Sequence, residues 1–200
     1  MNMKTYKYKN YAEYVKCQVA ANKRKASNQW AVEENIKAIA EWINNHNNPK
    51  HGLCHGVRQG WEVEWFSKYI SGCLMMGTDI GKPVKKYIWQ HDFNKQNPDW
   101  LHKFDFIYSN SFDHAYNPAE TLKIWAEQLK PGGLLILEYD RRQEHTGEIS
   151  MKINKTDPVS IRFDELQKLI PKWIKVNKIV VLDMPVVTQE WRKALIVEIA

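Results

Sequence analysis

Few cysteines and no long apolar run set the first limits on this sequence. Its 3 cysteines contain no Cys-x-x-Cys pair, so we expect free thiols in a reducing cytoplasm. No apolar stretch approaches the roughly 20 residues that a membrane span needs, and the first residues lack the apolar core of a signal peptide. These absences argue against disulfide-stapled, secreted and membrane classes, and they predict a cytoplasmic protein.

The composition is otherwise that of an ordinary globular chain. With 44% hydrophobic and 26% charged residues, it fits neither a disordered nor a fibrous class. Its 200 residues fit one domain. The net charge is +6, and basic residues are concentrated towards the amino end. That concentration leaves a nucleic-acid partner open, although we prefer a solvated basic helix face.

The stretch 51–60 is the most informative part of the sequence, because it reads as a strand followed by a glycine-punctuated turn. Glycines at Gly56 and Gly60 let backbone N–H groups and a helix N-terminus approach a polar ligand. Asp79 follows nineteen residues after Gly60 and closes the next predicted strand. A dinucleotide-type fold binds ribose hydroxyls with an acidic residue at this distance. The pattern predicts a nucleoside-containing cofactor.

Helical and strand patterns alternate along the chain. After two N-terminal helices, the second of which begins at Gln29 with Asn28 as its cap, the predicted order is strand 51–55, helix 61–70, strands 73–80, 86–90 and 104–108, helix 118–129, strand 134–138, helix 161–171, and strands 178–183 and 193–199. Such alternation favours an α/β fold with a doubly wound, mostly parallel sheet of seven strands.

Two further features complete the predicted organisation. The last two strands are joined by too short a connection for a crossover helix, so they must be antiparallel. A dehydrogenase would instead have two full βαβαβ halves. The segment 141–159 has no periodicity, and a loop of that length is usually functional or disordered. We therefore predict an N-terminal helical cap over 1–49 and a Rossmann-like core over 50–200.

Over roughly residues 50 to 200 the motifs resemble the class I S-adenosylmethionine-dependent methyltransferase family. The resemblance is carried, in order, by the turn Gly56-Val57-Arg58-Gln59-Gly60, the strand end Gly77-Thr78-Asp79-Ile80, the strand end His91-Asp92-Phe93, the strand and loop Phe104-Asp105-Phe106-Ile107-Tyr108-Ser109-Asn110, and Leu129-Lys130-Pro131-Gly132-Gly133 before an apolar strand. It implies the Rossmann-like methyltransferase fold and S-adenosylmethionine as the cofactor.

The resemblance also implies roles for individual positions. Asp79 would accept hydrogen bonds from both ribose hydroxyls, for which the two carboxylate oxygens are suited. The other implied cofactor-binding residues are Gly56 and Gly60 around the methionine part, Asp92 at the adenine amino group, Ile80 and Phe93 in the adenine slot, Asn110 in the loop beneath the methionine, and His55 beside the turn.

Two positions depart from the family pattern. Family members often carry an acidic residue two positions before the first glycine, where this sequence has Cys54. The middle glycine of the turn is replaced by Arg58. We hypothesise that Arg58 pairs with the cofactor carboxylate, since a guanidinium binds a carboxylate in a planar fork. Glu62 or a loop carbonyl would then bind the cofactor ammonium.

Candidates for a general base lie where the predicted strands end. Asp113 and His114 are the catalytic candidates, because a histidine beside a carboxylate titrates near neutral pH; a loop that caps the next helix is an equal alternative. Asp140 is a further candidate or a surface ion-pair partner. His51 and His55 are four apart, but on a strand Cys54 points away from both, so we predict no metal site.

We therefore predict an enzyme, an S-adenosylmethionine-dependent methyltransferase whose acceptor is a small molecule such as a sugar, a nucleotide-sugar or a metabolite. The basic amino end leaves an RNA or nucleotide methyltransferase as an alternative. Cys54 and Arg58 leave a non-catalytic cofactor-binding subunit as another. A nicotinamide-dependent oxidoreductase is the weakest alternative. No membrane partner is expected, and no sequence feature sets the oligomeric state.

Overall fold

Nine strands form two sheets in the computed structural model of the chain, which describes residues 3–144, 153–187 and 190–200. They are β1 (Met3–Thr5), β2 (His51–His55), β3 (Leu74–Asp79), β4 (Ile88–Gln90), β5 (Phe104–Ser109), β6 (Leu129–Asp140), β7 (Val159–Ile161), β8 (Val176–Asp183) and β9 (Arg192–Ile199). Seven of them build the main sheet, whereas β1 and β7 pair separately. The predicted strand number of the main sheet is confirmed.

Five α-helices connect or cover these strands. They are α1 (Tyr11–Arg24), α2 (Glu33–His46), α3 (Trp61–Tyr69), α4 (Pro118–Gln128) and α5 (Phe163–Trp173), with short 3-10 turns at Pro98–Trp100, Phe112–His114 and Arg141–Glu144. The side chain of Asn10 caps α1 by accepting from the backbone of Glu13, and that of Asn117 caps α4 in the same way. None of the helices within the described ranges combines the length and the apolar character of a membrane span.

The main sheet has the strand order β4-β3-β2-β5-β6-β9-β8. The pairs β4–β3, β3–β2, β2–β5 and β5–β6 are parallel, and the pairs β6–β9 and β9–β8 are antiparallel. This arrangement confirms the predicted doubly wound α/β sheet with an antiparallel end. Because β2 lies between β3 and β5, the residues that follow these three strands meet at one edge of the sheet.

Both faces of the sheet are buried, and this burial explains the continuous apolar run in β6. Side chains alternate between the two faces, so Leu135 and Leu137 join the core formed with α4 and α5, while Ile136 joins the core formed with α2 and α3. All three are fully buried. Burial of each such side chain contributes about 1.5–3 kcal/mol. The core thereby fixes the strand ends that carry the site.

The first helix does not join these cores but lies over the carboxyl edge of the sheet, together with the small sheet. In the small sheet β1 is antiparallel to β7, with Lys4 opposite Ser160. Side chains of α1 also reach the segment 153–158, where Gln18 Nε2 donates to the carbonyls of Lys155 and Thr156, both at 3.4 Å. We refer to β1, α1 and residues 153–161 as the lid. In contrast, α2 packs against α3.

Three local predictions are wrong. Asn28 does not cap α2, which begins at Glu33 after Val32 without a side-chain cap, and Trp30 between them stacks on Arg192. Residues 129–133, predicted to end the helix, belong to strand β6, because Leu129 of β6 already pairs with Phe104 of β5. The segment 141–159 is not wholly irregular, because it begins with a 3-10 turn and ends in β7; its residues 145–152 lie outside the described ranges.

Candidate active site

The site lies at the carboxyl edge of the sheet, where the turn after β2 bends back towards β3. Gly56, Arg58 and Gly60 all have positive φ angles, of 76°, 46° and 79°. A Cβ at Gly56 would lie 2.7 Å from the Cβ of Ser111, and one at Gly60 would lie 2.8 Å from Ile88 Cδ1. The two glycines are therefore required by both conformation and space. Arg58 adopts the same left-handed conformation at a cost in backbone energy.

Asp79 fastens this turn from the end of β3. Its Oδ2 accepts from the backbone N–H of Arg58 at 2.7 Å, and its Oδ1 accepts from the backbone N–H of Gly81 at 2.7 Å and from Asn22 Nδ2 at 2.6 Å. Burial raises the pKa of the Asp79 carboxyl, and the two backbone N–H groups oppose that rise. The predicted ribose ligand is thus a buried, well-oriented carboxylate that already holds a side chain of α1.

Asp92 lies on the neighbouring side of the same crevice. Its Oδ2 accepts from the hydroxyl of Tyr11 at 2.6 Å, and its Oδ1 accepts from the backbone and side-chain amides of Asn94 at 3.0 and 2.8 Å. The Phe93 ring is buried beside it. The two aspartates predicted to bind the cofactor are therefore both hydrogen-bonded to side chains of the lid. Asp79 accepts from Asn22, and Asp92 accepts from Tyr11.

A cavity of about 510 Å³ lies between α1 and these strand ends. Its walls include the predicted cofactor residues Gly56, Arg58, Asp79, Ile80, Asp92 and Phe93, together with residues of α1 and the cap residue Lys25. We call it the cofactor cavity. Its floor comes from the sheet and its roof comes from the lid.

A second, larger cavity of about 1370 Å³ adjoins the first. It is lined mainly by polar and charged side chains, among them Trp30, Glu62, Asn110, Asp113, Asp140, Arg142 and Asp157. We call it the acceptor cavity. The residues that line both cavities are Lys25, Gly56, Arg58, Ser111 and His114. The two spaces therefore meet at the glycine turn and the loop after β5.

Asp113 and His114 lie at this junction, in the 3-10 turn that follows β5. Asp113 Oδ1 accepts from Gln143 Nε2 at 3.1 Å. His114 Nε2 lies 3.9 Å from Oδ1 of Asp157, and Lys25 Nζ lies 3.1 Å from the same oxygen. Burial raises the pKa of Asp157, but the charges of His114 and Lys25 outweigh it and lower that pKa. The histidine thus has an ionised carboxylate as its neighbour.

The side chains of two aspartates and one histidine at this place also have the spacing of metal ligands. The donor atoms of Asp113, His114 and Asp157 lie within 4.8 Å of one another. However, the Lys25 ammonium already supplies positive charge at Asp157. A bound cation would have to displace it, so we assign no metal to this cluster.

Glu62 is the most unusual group of the acceptor cavity. It lies in the first turn of α3 and is only 4% exposed. Its Oε1 accepts from Asn110 Nδ2 at 3.1 Å, whereas its Oε2 has no hydrogen-bond partner among the residues that the structure describes. Burial raises the pKa of the Glu62 carboxyl to about 7.

Two further candidates from the sequence, His55 and Asp140, do not join Asp113 and His114. His55 is buried behind the turn, with Nδ1 2.7 Å from Thr78 Oγ1 and Nε2 3.0 Å from Gln128 Oε1, and burial lowers its pKa to about 3. It lines neither cavity. Asp140 does line the acceptor cavity, but it is paired with Arg142, whose Nη2 lies 2.6 Å from Oδ2.

The sequence of α1 also contains a pattern that indicates the lid. The side chains of α1 and its cap residue that line the cofactor cavity recur at helical spacing, and they are Tyr14, Gln18, Ala21, Asn22 and Lys25. Such a polar stripe indicates a ligand-facing surface as readily as a solvated one. Asp157 has no comparable local signal, because its neighbours come from distant segments.

Comparisons with known proteins address the fold. No family model matches the chain, and no curated protein matches it in sequence. Among solved structures, the 1,6-didemethyltoxoflavin-N1-methyltransferase of Burkholderia thailandensis, with bound 1,6-didemethyltoxoflavin and S-adenosylhomocysteine, is similar with a TM-score of 0.72 at 13% identity, over 98% of this chain and 93% of that one. The chain has the class I methyltransferase fold.

Other structures with this methyltransferase fold agree. The plantazolicin methyltransferase BpumL, in complex with S-adenosylhomocysteine, has a TM-score of 0.63 at 13% identity, with 94% of this chain and 96% of that chain covered. A SAM-dependent methyltransferase from Aquifex aeolicus has a TM-score of 0.54 at 14% identity, with 86% and 100% covered. The expected Rossmann-like methyltransferase fold is confirmed.

Proposed function

We propose that the chain is an S-adenosylmethionine-dependent methyltransferase that acts on a small polar molecule. The observation that supports this most directly is the junction of the two cavities. The cavity lined by Asp79 and Asp92 opens, beside Gly56 and His114, into a larger polar cavity. A methyl donor in the first and an acceptor in the second would therefore face each other across residues that can orient both.

The residues present fit the cofactor. Gly56 leaves a space that a Cβ would close against Ser111, and the carboxylate of Asp79 is held by backbone N–H groups in a fixed orientation. Asp79 would bind the ribose hydroxyls and Asp92 the adenine amino group, with Phe93 against the adenine ring. When bound, S-adenosylmethionine supplies an activated methyl group to a nucleophilic atom of the acceptor.

The protein's share of this chemistry is alignment, exclusion of water and proton transfer. The lid covers the cofactor cavity from above, so water is kept from the donor. His114 lies at the junction and would accept the proton that the acceptor loses, from Nε2 or Nδ1. Asp157, at 3.9 Å from Nε2, would favour the imidazolium that results. Asp113 would hold the acceptor through its carboxylate.

The lining of the acceptor cavity supports a polar acceptor. Acidic, basic and amide side chains line it beside a single tryptophan, Trp30. We propose a small molecule rather than a polymer as the acceptor. The Burkholderia thailandensis structure, with its small bound ligand, is consistent with this class.

Calorimetry with S-adenosylhomocysteine tests the proposal first, followed by an assay of methyl transfer to a panel of amines, hydroxylated metabolites, nucleotide-sugars and RNA. We expect binding in the micromolar range and turnover with a small polar acceptor. Turnover with RNA alone, with steep salt dependence, would favour the nucleic-acid alternative. Binding without turnover would favour a non-catalytic subunit, and a preference for NAD would exclude a methyltransferase.

A further inference from the structure

One carboxylate oxygen of Glu62, Oε2, has no hydrogen-bond partner among the described residues. A buried carboxylate oxygen without a partner is one of the costliest arrangements in a folded protein, so it calls for a ligand. Glu62 is 4% exposed, its Oε2 has no partner among the described residues, and the side chain lines the acceptor cavity beside the junction. Glu62 therefore brings a carboxylate with one unpaired oxygen to the acceptor cavity, two residues after Gly60 of the turn that the two cavities share.

Among the described residues, the groups around Glu62 satisfy only part of its carboxyl, on which its own backbone N–H also acts. Asn110 Nδ2 donates to the other oxygen. The charged or titratable groups that act on Glu62 are Arg58 from the turn, Glu138 from β6, Cys54 from β2 and Tyr108 from β5. Of these four, Arg58 is the cation, and its Nη1 donates instead to the carbonyl of Asn28 at 2.7 Å. Within the described residues, Oε2 of Glu62 therefore has no positively charged donor.

The position of Glu62 indicates which part of a ligand supplies it. The first turn of a helix offers N–H groups and a partial positive charge, which suit an anion. Glu62 places a carboxylate at that turn and so selects a cationic group. The acidic residue that family members often carry before the first glycine is absent, since this position is Cys54, fully buried with a pKa raised well above the ordinary thiol value by burial. A thiol in that state cannot serve as a counter-ion.

We infer that Glu62 is the counter-ion for the α-ammonium group at the amino-acid end of the cofactor, replacing the acidic residue missing at Cys54. The inference rests on the proposed function, since it assumes S-adenosylmethionine as the ligand. Asn110 orients the carboxylate through one oxygen and leaves the other for the ammonium. Arg58 lies at the same turn and lines both cavities, which places it within reach of the cofactor carboxylate.

Pairing of Glu62 with an ammonium group makes the affinity for the ligand depend on pH. The ammonium binds the ionised form of Glu62, and in the free protein burial raises the pKa of this carboxyl to about 7. Below that pH, binding must first expel a proton from Glu62. Affinity for an ammonium-bearing ligand should therefore fall about tenfold per pH unit below 7, provided that the ligand ammonium stays charged. A ligand without the amino group should show no such slope.

Calorimetry on the full chain with three ligands tests this directly. S-adenosylhomocysteine carries the ammonium and the carboxylate, its deaminated 2-oxo analogue lacks the ammonium, and 5′-methylthioadenosine lacks the whole amino-acid end. For Glu62→Gln we expect a ten- to hundredfold loss of affinity for the first, the loss of one charge-assisted hydrogen bond. Affinity for the other two should stay within about twofold. Glu64→Gln is the matched control, since Glu64 is on the same helix but pairs with Lys85 and Tyr87.

Each outcome has a distinct meaning. If Glu62→Gln binds S-adenosylhomocysteine as tightly as the original chain, the inference is wrong. If it loses affinity for all three ligands alike, Glu62 only supports the fold of the turn, and the inference is wrong as well. If the original chain binds 5′-methylthioadenosine but not S-adenosylhomocysteine, the site holds a nucleoside without an amino-acid end. If it binds none of the three, the proposed function itself fails.

Discussion

Asp79 and Glu62 are two carboxylates of one site that differ in how far the chain satisfies them. Both are nearly inaccessible, at 6% and 4% exposure. Asp79 accepts three hydrogen bonds, two of them from backbone N–H groups. Glu62 accepts one from Asn110 and keeps an oxygen unpaired within the described chain. The first therefore organises the protein, whereas the second depends on a ligand to complete it.

Because of this difference, substitutions at the two positions can separate the contribution to protein stability from the contribution to ligand binding. A change at Asp79 should affect the turn before any ligand is present, because the turn is held by its carboxylate. A change at Glu62 should leave the turn intact and alter what binds there. Substitution of Asp79 should therefore lower both stability and ligand affinity, whereas substitution of Glu62 should lower affinity without lowering stability.

The largest effect is expected from Asp79→Ala. It leaves the backbone N–H groups of Arg58 and Gly81 without their acceptor and removes the proposed ribose ligand, so we expect a loss of about 2–3 kcal/mol in unfolding free energy and more than about a hundredfold in S-adenosylhomocysteine affinity. Urea denaturation and calorimetry measure the two. Asp79→Asn, which keeps one acceptor oxygen, should lose less of both. Full affinity in the alanine variant would refute the assignment of Asp79.

Glu62→Gln should change the pH dependence of stability. Burial raises the pKa of Glu62 from 4.5 to about 7, so its ionisation opposes folding. The penalty is absent below about pH 4.5, grows by about 1.4 kcal/mol per pH unit up to about pH 7, and is then constant. Relative to the original chain, the glutamine variant should therefore gain stability as the pH rises through this window. Parallel curves of unfolding free energy against pH would contradict a buried, unpaired carboxylate.

Asn22→Ala tests the contact between the lid and Asp79. Oδ1 of Asp79 already accepts from Gly81 and Asn22, so two ribose hydroxyls can both be accepted more readily once Asn22 is removed. We expect S-adenosylhomocysteine to bind about fivefold more tightly, which corresponds to one ordinary hydrogen bond. Lys23→Ala, at an exposed position of α1, is the control. Weaker binding to the alanine variant would mean that Asn22 contacts the ligand instead.

The smallest effect is expected in the difference in stability between Arg58→Gly and Arg58→Ala. Both lose the hydrogen bond to the carbonyl of Asn28, but only alanine retains the strain of a positive φ angle, here 46°. The glycine variant should be more stable by about 1 kcal/mol in urea denaturation. Both should lose about tenfold in S-adenosylhomocysteine affinity if Arg58 binds the cofactor carboxylate. Equal stability of the two would show that the turn relaxes.

The floor of the site was predictable from sequence because its signals are local. Glycine spacing at Gly56 and Gly60 reports the turn, and an apolar run that ends in an acidic residue reports the strand before Asp79. Parallel pairing then brings these strand ends together without further information. The positions predicted for the sheet were accordingly within a few residues of those observed.

The lid was not predictable in the same way. Asn22 meets Asp79 across 57 residues, and Asp157 approaches His114 where β7, the partner of β1, contacts the 3-10 turn Phe112–His114. Short strands such as these carry too few residues for a period of two to be recognised. Neither their pairing nor the contacts that depend on it has a local pattern.

The position of β9 has a consequence for the order in which the sheet assembles. In the main sheet β8 pairs with β9 alone, and β9 in turn pairs with β6. Strands β8 and β9 are neighbours in sequence and can pair with each other before either meets the rest of the sheet. The two strands then join the parallel strands β2 to β6 when β9 pairs with β6, and this non-local step should limit the rate of folding.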